Sequence, residues 1–83
     1  MTQEEQNQIV ARFFEALAWL KESRQIRGVK TFTDRYGIHR RSLQRLKKDP
    51  GTNDFKAVWL TYLVADFGID AAWLLTGEGR MHA

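Results

Sequence analysis

The sequence predicts an all-α fold: a compact five-helix bundle in a single domain covering residues 1–83. Three observations predict it. Apolar residues recur at helical spacing through the longer segments. Turn-forming residues (Gly28, Gly37, Asp49-Pro50-Gly51, Gly68 and Gly77) interrupt them at short intervals. No alternation of the strand type, internal repeat or low-complexity segment is present. A chain of 83 residues admits one domain with a modest core, sensitive to single core changes.

Thr2 followed by Glu5 has the spacing of a capping box, so the first helix is expected to start there. Ile9, Phe13, Leu17 and Leu20 give its apolar stripe, with Val10, Phe14 and Ala18 widening it, and it is expected to fade near Ser23. Arg24 to Gly28 reads as a basic connector in which Gly28 supplies the turn. A second helix is expected over Val29 to Tyr36, ended by Gly37, because glycine takes a positive φ without strain. A third is expected from about His39 to Lys47, with Leu43 and Leu46 as its apolar positions, stopped at Asp49-Pro50-Gly51. A fourth is expected from Asp54 to Phe67, capped by Thr52 or Asn53, with Phe55, Val58, Trp59, Tyr62, Leu63 and Phe67 as its stripe. Gly68 stops it. Asp70 caps a fifth, Ala71 to Thr76, and Gly77 and Gly79 follow.

Composition removes several classes of function. There is no cysteine, and two histidines, His39 and His82, carry no ligand spacing, so no metal and no cofactor is expected. No run of about 18 apolar residues exists to cross a membrane. The start, Met1 to Gln8, is polar and acidic, unlike a signal peptide. A cytoplasmic location is therefore expected, without membrane association. No Ser-His-Asp set, paired-carboxylate signature or phosphate-cradling glycine loop is present, so the chain is not expected to be an enzyme, and no small-molecule ligand is evident.

The net charge of +3 is modest, but its distribution is uneven. Residues 21–48 hold ten Lys or Arg against Glu22 and Asp34, a net of +8, while the rest of the chain holds three basic and eight acidic residues, a net of −5. A basic middle in an acidic frame suggests a face that binds a polyanion. The plain competitor is a solvated surface with clustered cations.

Residues 29–48 carry the local signal of a helix-turn-helix: two short helices joined at a tight glycine turn. Phe32 and Tyr36 face the core from the first helix, Gly37 makes the corner, and Ile38, Leu43 and Leu46 hold the second helix in place. Thr33, four residues before the glycine, falls where the two helices cross and a small side chain is needed. What remains outward on the second helix is Arg40, Arg41, Gln44, Arg45 and Lys48. Arginine pairs bidentately with guanine in the major groove and glutamine with adenine, so Arg40, Arg41, Gln44 and Arg45 are the candidates for base readout. The longer helices fill their solvent faces with mixed or acidic residues, such as Glu4, Glu15 and Glu22, and only the third is basic throughout.

Gly37-Ile38 and the pattern around it resemble the Cro and lambda-type repressor class of helix-turn-helix domains. The run Ile69-Asp70-Ala71-Ala72-Trp73-Leu74-Leu75-Thr76-Gly77-Glu78-Gly79 is similar to the last helix of phage-repressor DNA-binding domains, where a Trp-Leu-Leu-Thr-Gly-Glu-Gly run follows a cap acid. The resemblance covers about residues 9–81. It implies a lambda-repressor-like five-helix fold, operator DNA as ligand, and a phage-type or mobile-element transcriptional regulator, repressor-like in action. Val29 stands where the family often has glutamine, Thr33 where alanine is usual, and His39 where a Ser or Thr cap is common.

Contacts to DNA phosphate are expected from the flanks, because helix amino ends bind phosphate through free N–H groups. Gly28 to Thr31 is one such end, with Arg27, Lys30 and Thr31 as contacts. Gly51 to Asn53 is the other, with Lys47, Lys48 and Asn53. Trp59 and Trp73 lie on apolar stripes and are expected in the core. Trp19 sits beside the main stripe of the first helix, which leaves its burial open. Double-stranded DNA is the expected partner, together with a weak homodimer through the C-terminal part, Phe67 to Leu75. The alternative is a protein-interaction module on the same scaffold, such as an antitoxin. Binding of single strands would use exposed aromatics, and the basic helix carries none.

Overall fold

The computed structural model describes residues 2–52 and 55–82. Five helices follow one another: α1 (Gln3–Glu22), α2 (Val29–Tyr36), α3 (Arg40–Lys48), α4 (Val58–Phe67) and α5 (Ala71–Thr76). No strand occurs among the described residues; a single antiparallel bridge joins Ile69 to His82. No described helix is long and apolar enough to cross a membrane. The radius of gyration is 12.0 Å.

α1 starts as its sequence directs. The Thr2 hydroxyl accepts from the Glu5 N–H, and the Glu5 carboxylate accepts from the Thr2 N–H, both at 3.1 Å. These bonds hold the Glu5 carboxyl below the usual carboxylate range. Ile9, Val10, Phe13, Ala16, Leu17 and Leu20 are buried. Ala16 lies inside this stripe and Ala18 outside it, exposed, the reverse of the expected widening. At about 100° per residue, Ala16 falls on the arc spanned by Ile9, Phe13 and Leu20, whereas Ala18 is carried well past it.

The connector after α1 differs from its expectation in two ways. The residue with positive φ is Arg24 (φ 64°), not Gly28, whose φ of 175° is extended backbone. Ile26, within this basic stretch, is buried. The N–H groups of Gln25 and Ile26 both donate to the Leu20 carbonyl (2.9 and 3.3 Å), which turns the chain sharply enough for Ile26 to enter the core.

α2 and α5 take the expected bounds. Gly37 ends α2 in the left-handed region (φ 64°), and the N–H groups of Gly37 and Ile38 both reach the Thr33 carbonyl. Two orphan donors are thereby used at one acceptor. Thr33 is buried, and its hydroxyl donates to the Lys30 carbonyl at 3.0 Å, so its polar atom is satisfied within its own helix. The same left-handed corner recurs at Gly68 (φ 70°) after α4. In α5 the Asp70 carboxylate accepts from the Trp73 N–H at 2.9 Å, as its cap position requires.

α4 is shorter than expected. It begins at Val58 behind Ala57, which makes no side-chain capping bond, so Thr52 does not cap it; Asn53, the other expected cap, lies outside the described residues. Phe55 explains the difference. Its ring meets Phe13 and Trp59 edge-on at 6.1 and 6.0 Å from the chain that approaches the helix, so the apolar contact assigned to a helical turn is made without one. Trp59 and Leu63 form the buried line of α4, and Val58 is exposed. α3 is shifted by one residue, with His39 at its cap and no side-chain bond there.

The core is one cluster. α1 packs against α3 and α5, and Phe13, Leu17, Leu20, Phe32, Leu43, Leu46, Leu63 and Leu74 are among its most enclosed side chains. Trp59 and Trp73 belong to it, and Trp19 is half-buried beneath the ring of His82, 4.0 Å away and nearly parallel. That stack and the Asp70 N–H donating to Met81 (2.7 Å) fold the C-terminal residues back on the bundle.

Leu43→Ala leaves a cavity in this cluster and should lower stability by about 2–5 kcal/mol. Native stability runs at about 0.05–0.15 kcal/mol per residue, so the loss is a large part of the whole. Gly37→Ala meets no atom within 4 Å of the added Cβ; it should lose only the left-handed strain of about 1–2 kcal/mol. Thermal melts followed by far-UV circular dichroism rank the two, and the opposite order would mean that the turn, not the core, limits stability.

Candidate nucleic-acid interface

Leu43 and Leu46 fix the rotation of α3 because both are buried against the bundle. The opposite side then carries Arg40, Arg41, Gln44, Arg45, Lys47 and Lys48, all exposed. Arg40, Arg41, Gln44 and Arg45 line one shallow open cleft with Asp34 at its edge. Arg41, Gln44 and Arg45 also line a neighbouring cleft with Lys47 and Lys48. The four candidate readers and two of the candidate phosphate contacts therefore form one continuous surface. No acidic residue stands in the first turn of α3.

Arg27, Lys30 and Thr31 are exposed and grouped apart, at the amino end of α2. No side chain caps this end, but the Thr31 N–H already donates to the Gly28 carbonyl at 3.1 Å, so one of the donors expected to meet phosphate is in use. Lys30 lies 3.6 Å from Asp34, both well exposed. Such an i,i+4 pair contributes only about 0.3–0.5 kcal/mol, little enough for a phosphate to displace the carboxylate. The second flank changes more. α4 begins at Val58, so Gly51 and Thr52 are not at a helix amino end; they belong to a turn in which the Thr52 N–H donates to the Asp49 carbonyl and the Gly51 N–H to the Asp49 carboxylate. Lys47 and Lys48 remain on the α3 surface. Asn53, the last of the expected phosphate contacts, lies outside the described residues.

Arg12 and Arg35 act within the fold. The Arg12 guanidinium donates to the Leu74 and Leu75 carbonyls at 2.8 and 3.1 Å, closing the carboxyl end of α5 from α1. Arg35 lies 3.9 Å from the Asp66 carboxylate and over the rings of Tyr36 and Phe67. Beside it the Tyr36 hydroxyl donates to Asp66 at 2.5 Å, and the Tyr36 and Tyr62 rings stack 3.9 Å apart at 5°. This cluster ties the end of α2 to α4 immediately before Gly37, and so holds the corner from which α3 starts. It also engages the Asp66 carboxylate, an acid that would otherwise oppose a polyanion.

Three residues at the site had no role as DNA contacts in the sequence reading. His39 and Ser42 line the first cleft beside Arg40 and Arg41, and both continue into a second, more enclosed cleft that includes Lys56. Lys56 lies outside the basic run of residues 21–48, and only the path of the chain before α4 brings it there. Among the described residues, no group of three or more His, Cys, Asp or Glu is arranged to hold a metal ion. No family model, curated protein or solved structure matches the chain.

Burial, and then the bond to Asp66, push the Tyr36 hydroxyl up to about 12. A folded-state value above the ordinary one near 10 means that the contribution is fully present below about pH 10 and is lost as pH rises towards 12. Tyr36→Phe should therefore be less stable than the parent at neutral pH, and the difference should shrink across that alkaline window. Urea melts of both proteins at neutral pH and at intervals above pH 10 measure it; a pH-independent difference would mean that the hydroxyl's bond does not hold α2 to α4.

Proposed function

We propose that this chain is a sequence-specific double-stranded DNA-binding domain of the lambda-repressor-like helix-turn-helix type, acting as a repressor-like transcriptional regulator. In this reading α3 enters the major groove and Arg40, Arg41, Gln44 and Arg45 meet base edges. One observation carries it: α3 buries only two leucines and turns six basic or amide side chains outward on one continuous surface. The resemblance to the Cro and lambda-type class, drawn from Gly37-Ile38 and the Trp73-to-Gly79 run, points the same way.

Two copies on paired half-sites fit this reading, because one short helix offers little contact area. The expected self-contact over Phe67 to Leu75 shifts towards α4, since Ile69, Trp73 and Leu74 are buried. The remaining surface is an apolar groove between α4 and α5, lined by Leu60, Val64, Ala65 and Ala71 and flanked by the exposed Leu75. Among the described residues its lining holds no charge, so two copies meet there without the repulsion of the basic face. Sedimentation of the complex with a selected duplex tests this part: a one-to-one complex on a site without two-fold symmetry would overturn it.

Selection of bound sequences from a random duplex pool tests the main reading. Log affinity for a selected duplex should fall linearly with log salt, at about −0.9 per phosphate contact and on the order of −4 to −7 in total. Arg41→Ala or Gln44→Ala should lose about 1–3 kcal/mol and relax preference at one base pair, whereas Lys48→Ala should weaken all sequences alike. Failure to enrich any sequence, with affinity indifferent to salt, would sink the reading and favour a protein-interaction module.

A further inference from the structure

The cleft beyond the amino end of α3 is bounded on one side by Ile38, His39 and Ser42 and on the other by Lys56, Trp59 and Tyr62. Among the described residues its lining contains no carboxylate. His39 and Ser42, both able to donate hydrogen bonds, line it from the α3 side, and Lys56 lines it from the chain before α4. Lys56 is exposed; its backbone carbonyl accepts from the Trp59 N–H at 3.0 Å, and no ion pair or hydrogen bond engages its ammonium among the described residues. The Tyr36 hydroxyl, at the same cleft, is already committed to Asp66. Ile38, His39 and Ser42 also line the cleft of the candidate readers, so the two clefts are continuous around the end of α3.

We infer that this cleft seats a phosphodiester of the bound duplex, with Lys56 as its charged contact and Ser42 and His39 as hydrogen-bond donors. The inference rests on the DNA-binding reading and deepens it. A helix in the major groove is flanked by sugar-phosphate backbone, and contacts to that backbone set its register and orientation. Lys47 and Lys48 supply cations at the carboxyl end of α3, and Lys56 supplies one at the opposite end. A contact at each end fixes the angle of the helix in the groove, which a contact at one end does not. The site replaces the second flank assigned from the sequence, where Gly51 and Thr52 lie in a turn and not at a helix amino end.

The test is the salt dependence of affinity for a selected duplex and for a mixed-sequence duplex, using the full chain. Lys56→Gln should weaken both by the same several-fold factor and reduce the salt slope by about 1, and Lys56→Arg should restore the slope. Arg80→Gln, which removes a charge from a cleft on another part of the surface, should leave the slope as in the parent. Both altered residues are exposed, and matching thermal melts confirm an intact fold. If the parent binds with a steep slope and Lys56→Gln keeps it, the seat is wrong while the DNA-binding reading stands. A change of preference at one base pair in Lys56→Gln, or an equal loss of slope in Arg80→Gln, would also overturn the seat. If the parent itself shows no salt-dependent duplex binding, the reading fails and the seat with it.

Discussion

The ring of Phe13 meets aromatic side chains from four parts of the chain. Phe14 lies beside it in α1 at 5.2 Å, Phe32 of α2 at 6.0 Å, Phe55 ahead of α4 at 6.1 Å and Trp59 of α4 at 6.3 Å. Each such pair is worth about 0.5–1.5 kcal/mol beyond the area it buries. The dependence on this hub is strong because α2 to α5 are six to ten residues long, and isolated helices shorter than about 12–15 residues are marginal in water. These helices persist by packing on α1. The rotation of α3, and hence which of its side chains face outward, follows from where Leu43 and Leu46 meet that core.

The cations divide by what surrounds them. Arg12 closes the end of α5, and Arg35 is held by a carboxylate and two rings; both are part of the fold. Lys30 is held by one exposed carboxylate, a weak pairing that a phosphate can replace. The α3 cations crowd one surface. Net charge alone does not separate these groups: Arg12 and Arg35 brace the fold from α1 and α2, and the cations of α3 share the exposed surface proposed to meet DNA.

Much of this was legible in the sequence where local chemistry sets the structure. α2 and α5 took their expected bounds because Gly37, Asp70 and Gly77 act within their own turn. The capping box at Thr2 is equally local. The fourth helix was misjudged because Phe55 continues the apolar spacing of Trp59 and Tyr62 while reaching Phe13 from non-helical chain, a tertiary contact that spacing cannot distinguish from a helical one. Ile26 was hidden by the charged residues around it. Arg12 and Lys56 were illegible for the same reason: each is an isolated cation in sequence, and its surroundings are set by chain that is distant or differently folded than expected. The exposed face of α3 was readable because two leucines among charged residues leave one solution for its rotation.

α3 is poorly suited to stand as a solvated helix. Arg40 and Arg41 occupy its first turn with no acidic residue beside them, against the positive end of the helix dipole, where a cation is disfavoured by about 0.3–1 kcal/mol. Arg41 and Arg45 are a like-charge pair at i,i+4, unfavourable by about 0.2–0.5 kcal/mol. His39 offers no side-chain bond at the cap, a deficit of about 0.5–2 kcal/mol relative to Ser, Thr, Asn or Asp in that place. A helix whose outer face served only solubility would relieve these terms with a Glu in its first turn or a Ser at its cap. In the proposed complex these terms reverse: a polyanion against the surface relieves the repulsion between the arginines and meets the basic first turn with negative charge. The local disadvantages of α3 are thus advantages in the proposed complex, and the aromatic packing around Phe13 offsets them in the free protein.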